Sequence, residues 1–276
     1  MLGVRSSWLS IPRPGGTMRL LVLRPRNLAG PAAAGVLWIH GGGYATGMAS
    51  LAYFSRALGL AKRCGAVVVS PAYRLSGRAP YPAALEDCYL ALRYVYEHAA
   101  QLGFPPERLM VGGESAGGGL AAAVCMAARD RGQVRVACQF PLYPMLDDRD
   151  TPSSRDNHAP VWNTRRNHKA WRQYLRDLPA GEPVPPYAAP ARQTDYHGLP
   201  PAYTFVGDIE PFYDETLTFI DRLNKAGVPA RVDVYHAPGP GCFHSFDMLT
   251  PWRTVSRQAI RVFEARFREA VDSLSD

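Results

Sequence analysis

Short apolar runs alternate with longer segments of helical periodicity along nearly the whole chain, and few folds accommodate that alternation. Met18–Leu23, Gly35–Ile39, Ala66–Ser70, Arg108–Val111, Val136–Phe140, Ala202–Val206 and Arg231–Tyr235 read as strands. Between most of them, Ala49–Lys62, Ala83–Gln101, Ala116–Arg129, Asp214–Ala226 and Arg253–Val271 repeat apolar residues every three or four positions, as a helix packed on a sheet must. Strand, helix, strand returns the chain parallel to itself, so an α/β fold with a mostly parallel sheet covered on both faces is expected. Such sheets collect ligands at the carboxyl ends of their strands.

One stretch breaks the rhythm. From 145 to 200 the turn clusters DDRDTPSS, PAGEPVPP and YAAPARQTD surround a single helical patch, Asn163–Leu178, that contains Trp171 and Tyr174. An excursion of that length inside a compact fold usually serves function. The expectation is one domain over 1–276 with an ordered cap inserted at 145–200.

The 31 basic and 24 acidic side chains leave a formal charge of +7. That field alone would suit an anionic partner. The arginines, however, are scattered from Arg5 to Arg268, and Lys62, Lys169 and Lys225 are the only lysines. No nucleic acid is therefore expected. The densest stretch, Arg165, Arg166, Lys169, Arg172 and Arg176, has helical spacing and reads as a solvated face. Five cysteines with no C-x-x-C pair suggest neither a disulfide framework nor a zinc site, so no metal is expected. The opening MLGVRSSWLSIPRPGG lacks a signal-peptide core, and the longest apolar run, Leu120 to Ala128, is too short to span a bilayer. A cytoplasmic location without a membrane partner follows as an expectation.

Chemistry enters at Gly113-Glu114-Ser115-Ala116-Gly117, which lies between a strand and a helix. A serine on a tight strand-to-helix turn presents its hydroxyl at the sheet edge, small residues two positions away let the turn pass its neighbours, and the following helix aims its amides at the same place. His40-Gly41-Gly42-Gly43-Tyr44 follows the strand GVLWI, and three consecutive glycines leave backbone N–H groups uncovered, as an oxyanion hole requires. A phosphate-binding loop is disfavoured, because no Lys-Ser/Thr pair follows. His40 is expected to brace the loop instead of moving protons.

HGGGY at 40–44, YRL at 73–75, YPAALED at 81–87, GESAGG at 113–118 and YAAPAR at 187–192, with the region 207–246, resemble the hormone-sensitive-lipase-like family of α/β hydrolases and span nearly the whole chain. The resemblance implies the α/β-hydrolase fold, a serine esterase acting on short acyl esters, and no metal or organic cofactor. Its chain order is nucleophile, acid, base. Of seven histidines, His40 and His98 precede Ser115, and His158, His168 and His197 fall in the expected cap. His236 ends a strand. His244, in Cys242-Phe243-His244-Ser245-Phe246, resembles the family's H-G-F site, with serine replacing the usual glycine. The family's acid stands immediately before a proline, which here is Glu210, with Asp208 as the alternative and Asp214 read as a first-turn helix acid.

Ser115, Glu210 and His244 are thus the expected catalytic residues, with N–H groups of Gly42, Gly43 and Ala116 holding the oxyanion. Tyr44, Trp162, Trp171 and Tyr187 are the candidate walls of a substrate pocket. Only 39 residues precede His40, fewer than in family members with an N-terminal helical cap, so the roof is expected to come mainly from 145–200. An open pocket of that kind suits acetyl to butyryl groups. The expected partner is a small-molecule ester, and a homodimer is left open. Two competing readings are a non-catalytic ligand-binding protein on the same scaffold and an amidase or peptidase using the same three residues.

Overall fold

The computed structural model describes residues 3–26, 28, 30–239 and 241–274. Eight strands form one sheet in the order β1-β2-β4-β3-β5-β6-β7-β8. They are β1 (Val4–Arg13), β2 (Gly16–Pro25), β3 (Gly35–Ile39), β4 (Val67–Pro71), β5 (Leu109–Glu114), β6 (Gln139–Leu142), β7 (Ala202–Gly207) and β8 (Ala230–Tyr235). From β4 across to β8 every pairing is parallel. β3, β4 and β5 are buried throughout, the signature of strands covered on both faces.

Several elements depart from the expected bounds: β6 begins three residues later than the Val136–Phe140 run, and the helix expected over Ala83–Gln101 ends at Glu97, with a separate helical turn at Ala99–Leu102. β1 carries no strand signal in the sequence, yet it pairs antiparallel with β2 over its full length, from Val4 opposite Pro25 to Arg13 opposite Gly16. It is an edge strand that buries only Val4 and Ile11, so it lacks the apolar run that marks an inner strand. The stretch expected as one helix over Ala49–Lys62 is two pieces: a 3-10 turn at Ala49–Tyr53 and a helix at Arg56–Arg63. Ser55 separates them, its hydroxyl accepting from the Ala57 N–H as an N-cap.

Helices Arg56–Arg63 and Thr254–Asp272 cover one face through Leu60, Phe263 and Phe267 against Val36, Trp38 and Phe140. Ala83–Glu97 and Ala116–Arg131 cover the other through Leu85, Leu92, Leu120 and Val124. Tyr213–Lys225 adds Phe219 and Leu223 beside β7. No helix among the described residues is long and apolar enough to cross a membrane.

Within 145–200 the chain forms short helices at Pro152–Arg155 and Thr164–Tyr174 and a 3-10 turn at Pro190–Arg192. Its opening stretch is tied to the helix Tyr213–Lys225. Buried Glu215 accepts the N–H of Leu146 at 2.6 Å, and the Asp214 carboxylate, in the first turn of its helix, accepts that of Ser153 at 2.6 Å. Trp171 and Tyr174 descend onto Tyr44, whose ring stacks on Tyr174 at 4.0 Å.

Candidate active site

The glycine loop at 40–43, Ser115 and His244 meet at the carboxyl edge of this sheet. β5 ends at Glu114, and Ser115 takes φ 60° and ψ −124° before the helix Ala116–Arg131 begins. A side-chain-bearing residue held there stores about 1–3 kcal/mol of strain. Three backbone hydrogen bonds at 3.0 Å hold it: its N–H donates to Leu142, and its carbonyl accepts from Gly119 and Met145. A Cβ on Gly117 would stand 2.1 Å from the Ile39 carbonyl, so only glycine lets the helix start pass the end of β3.

Beyond β8, the Cys242–Ser245 segment brings His244 to the same edge. Its Nε2 lies 2.9 Å from the Ser115 hydroxyl, and its Nδ1 lies 2.6 Å from Glu210. With Glu210 ionised, the carboxylate has no proton to give, so Nδ1–H donates to it and Nε2 is left to accept from Ser115. The other Glu210 oxygen accepts the Gly207 N–H at 2.7 Å, folding the carboxylate under its own loop. Burial pushes the Glu210 carboxyl up, opposed by the hydrogen bond and charge of His244 and by the Gly207 N–H. Tyr143, Phe212 and Trp162 surround the imidazole with ring centroids 5.1–6.2 Å away. Ser245 adopts φ 61°, a left-handed conformation that explains why glycine commonly stands there.

Asp208 does other work. It accepts the Cys242 N–H at 2.7 Å and faces exposed His236 at 3.2 Å, so it shapes the loop that carries the histidine. His40 braces the glycine loop: its ring stacks on Tyr73 at 4.2 Å and bonds the Gly41 carbonyl at 2.8 Å, while the Tyr73 hydroxyl donates to the His40 carbonyl. Burial lowers its pKa to about 4, so it is neutral near pH 7. Gly42 lies at φ 122°, and its carbonyl accepts from the N–H groups of Ala45 and Thr46, closing the loop. Ala116 is the first residue of its helix, where the amide has no intrahelical partner.

A cavity of about 370 Å³ opens above Ser115 and His244, walled by Leu51, Val161, Trp162, Arg166, Met248 and Leu249 and floored by Gly41 and Gly42. Of the four expected pocket walls only Trp162 lines it. Tyr44 is buried with its hydroxyl on the Met145 carbonyl, Trp171 is buried in the core, and Tyr187 reaches Asp130 on the surface at 2.6 Å. Those three aromatics anchor the 145–200 segment instead. Gly43 lies beneath Trp162: a Cβ there would meet the indole at 2.4 Å.

A second buried acid layer was not legible in the sequence. Glu114 accepts from Trp38 Nε1–H at 2.8 Å and from the Arg56 N–H at 3.2 Å. The Arg56 guanidinium pairs at 3.1 Å with Asp247, three residues beyond His244, and so ties that turn to the Arg56–Arg63 helix. Glu114 sits at the variable position of its motif, and Arg56 and Asp247 meet only through space. Burial, reinforced by the charge of Asp247, raises the Glu114 pKa to about 7 against the Trp38 and Arg56 contacts. Because this folded-state value exceeds the unfolded one, stability from Glu114 is full below about pH 4.5 and is lost as pH rises toward about 7. Relative to the native protein, Glu114→Gln should therefore gain on the order of 3 kcal/mol between pH 4.5 and 7.5. Denaturant titrations of both proteins across that range check it; a pH-independent difference would remove Glu114 as the titrating group.

A family model described as alpha/beta hydrolase fold matches residues 36–248. Esterase LipI of Mycobacterium tuberculosis is 35% identical over 227 residues, covering 81% of this chain and 70% of that protein. An acetyl-hydrolase of Streptomyces hygroscopicus is 33% identical over 239 residues, covering 85% and 75%. A bacterial heroin esterase of known structure superposes with a TM-score of 0.90 at 36% identity, over 98% of this chain and 85% of that one. By sequence and by fold, the chain belongs to the hormone-sensitive-lipase-like family of α/β hydrolases.

Proposed function

We propose that the protein is a serine esterase that hydrolyses short-chain acyl esters, acetyl to butyryl, through an acyl-enzyme intermediate. That it is a carboxylic ester hydrolase agrees with its esterase relatives. The acyl-enzyme route is carried by one observation, the unbroken line of hydrogen bonds from Ser115 through His244 to Glu210. In this reading His244 Nε2 takes the Ser115 proton as the oxygen attacks the ester carbonyl, and Glu210 stabilises the imidazolium that forms. N–H groups of Gly42, Gly43 and Ala116 receive the oxyanion. The imidazolium then protonates the departing alcohol, leaving an acyl-serine. Water, activated by the same histidine, cleaves it to acid and free enzyme.

The segment 145–200 acts as a cap within one domain over 1–276, roofing the cleft with Val161, Trp162 and Arg166. The Trp162 indole, packed against Gly43 and lining the cavity, occupies room that a long acyl chain would need. Each methylene left without apolar cover forgoes about 0.8 kcal/mol of binding. Five unpaired, buried cysteines suit a reducing compartment, and we place the protein in the cytoplasm. A series of p-nitrophenyl esters tests the acyl preference: kcat/KM should peak between acetyl and butyryl and fall toward decanoyl. A decanoyl ester cleaved faster than butyryl would refute it. Labelling by a fluorophosphonate tests for an activated serine, and an anilide matched to the best ester should be cleaved far more slowly.

A further inference from the structure

The helix Thr164–Tyr174 carries the densest cationic stretch of the chain, and the hydrolytic steps use none of it. It buries Asn167, Ala170, Trp171 and Tyr174, while Arg165, Arg166, Lys169 and Arg172 face water. Among the described residues no acidic side chain pairs with any of these four. Arg165 and Arg166 occupy the first turn, where the helix dipole disfavours positive charge. Arg172 and Lys169 satisfy the solvated-face reading, but Arg166 lines the cavity over Ser115.

Its guanidinium is held there. One nitrogen donates to the carbonyl of Val161, and Val161 sits at φ 71°, a left-handed conformation rarely adopted by a β-branched residue. Val161, Trp162 and Arg166 together make one wall of the cavity. Four N–H donors of the guanidinium remain after that bond, in the fork that matches a carboxylate. On the opposite side of the charge balance, the one acid among the described residues that lines the cavity is Glu114, whose oxygens are already committed to Trp38 and Arg56.

We propose that the cleft selects esters carrying a carboxylate away from the scissile bond, and that Arg166 is the residue that reads it. The inference rests on the esterase reading and extends it to a substrate class. A fixed but solvent-facing guanidinium acts with modest, salt-screened strength.

The experiment compares wild type, Arg166→Gln and Arg166→Lys on two matched pairs of esters. In one pair the alcohol carries the charge: the butyrate of 3-hydroxybenzoate against that of 3-hydroxybenzamide. In the other the acyl group does: monoethyl glutarate against ethyl pentanoate. For wild type, kcat/KM should favour the charged member of at least one pair by about three- to tenfold at low salt, as an exposed ion pair allows. The ratio should shrink toward unity in 0.5 M salt and in Arg166→Gln, and Arg166→Lys, which keeps the charge without the fork, should fall between wild type and Arg166→Gln; the responding pair tells which side of the ester meets the guanidinium. No preference in either pair overturns the proposal. So does an equal loss on both members in Arg166→Gln, which would mean that Arg166 only holds Val161. Failure to hydrolyse any of these four esters, charged or neutral, would overturn the esterase reading itself, and this inference with it.

Discussion

Ser115→Ala should lose ester turnover by on the order of 10⁴–10⁶ while keeping the native fold. The hydroxyl stands 2.9 Å from His244 Nε2, and the backbone that presents it is fixed by Leu142, Gly119 and Met145 through main-chain atoms alone. Removing one oxygen therefore leaves the turn, the glycine loop and the cavity intact. What remains is catalysis by binding and by the oxyanion donors, typically a small residue of the whole. Steady-state hydrolysis of p-nitrophenyl butyrate, with a thermal melt as the control on folding, checks the result. Turnover within tenfold of wild type would refute Ser115 as the nucleophile.

Glu210→Gln is expected to lower kcat by on the order of 10⁴, the loss seen when an orienting carboxylate becomes an amide and the imidazole is held in the wrong tautomer. Asp208→Asn supplies the contrast. Asp208 touches the Cys242 N–H and His236, never the ring of His244, so its loss acts through loop geometry and should cost about tenfold or less. The two variants compared at one pH discriminate the candidates: if Asp208→Asn is the crippled enzyme, the acid has been misassigned. The geometry explains why proximity in sequence misleads here. Both acids follow β7 within three residues, but Glu210 turns back to bond Gly207 and thereby points its second oxygen at Nδ1.

Much of the architecture is legible without coordinates because burial on both faces of an inner strand demands an uninterrupted apolar run. β3 falls at Gly35–Ile39 as its composition predicts, and β7 and β8 agree within a residue or so. β1 escapes notice because an edge strand buries little, and the break at Ser55 because a cap and a mid-helix serine look alike in composition. Ser115 is readable because its strained turn restricts the positions two residues either side to glycine, and His244 because its surroundings resemble the family's histidine site.

The pocket is a different matter. Tyr44, Trp171 and Tyr187 have the chemistry of pocket walls, and nothing local separates them from Trp162. Packing separates them: Tyr44 and Trp171 meet in a buried, tilted contact, Tyr187 reaches Asp130, and of the four only Trp162 lines the cavity above Ser115. Arg166 shows the reverse, a helical cation that composition assigns to solvent and that tertiary contact with Val161 places in the cleft. The amino-acid sequence by itself determined the inner strands and the strand-to-helix turn at Ser115, since these follow from short-range backbone sterics and periodic burial, while the expected order of nucleophile, acid and base came from the family resemblance. Only the tertiary structure decided which side chains face the substrate and which acids are buried behind Ser115, because both depend on which surfaces meet across distances the chain order does not encode.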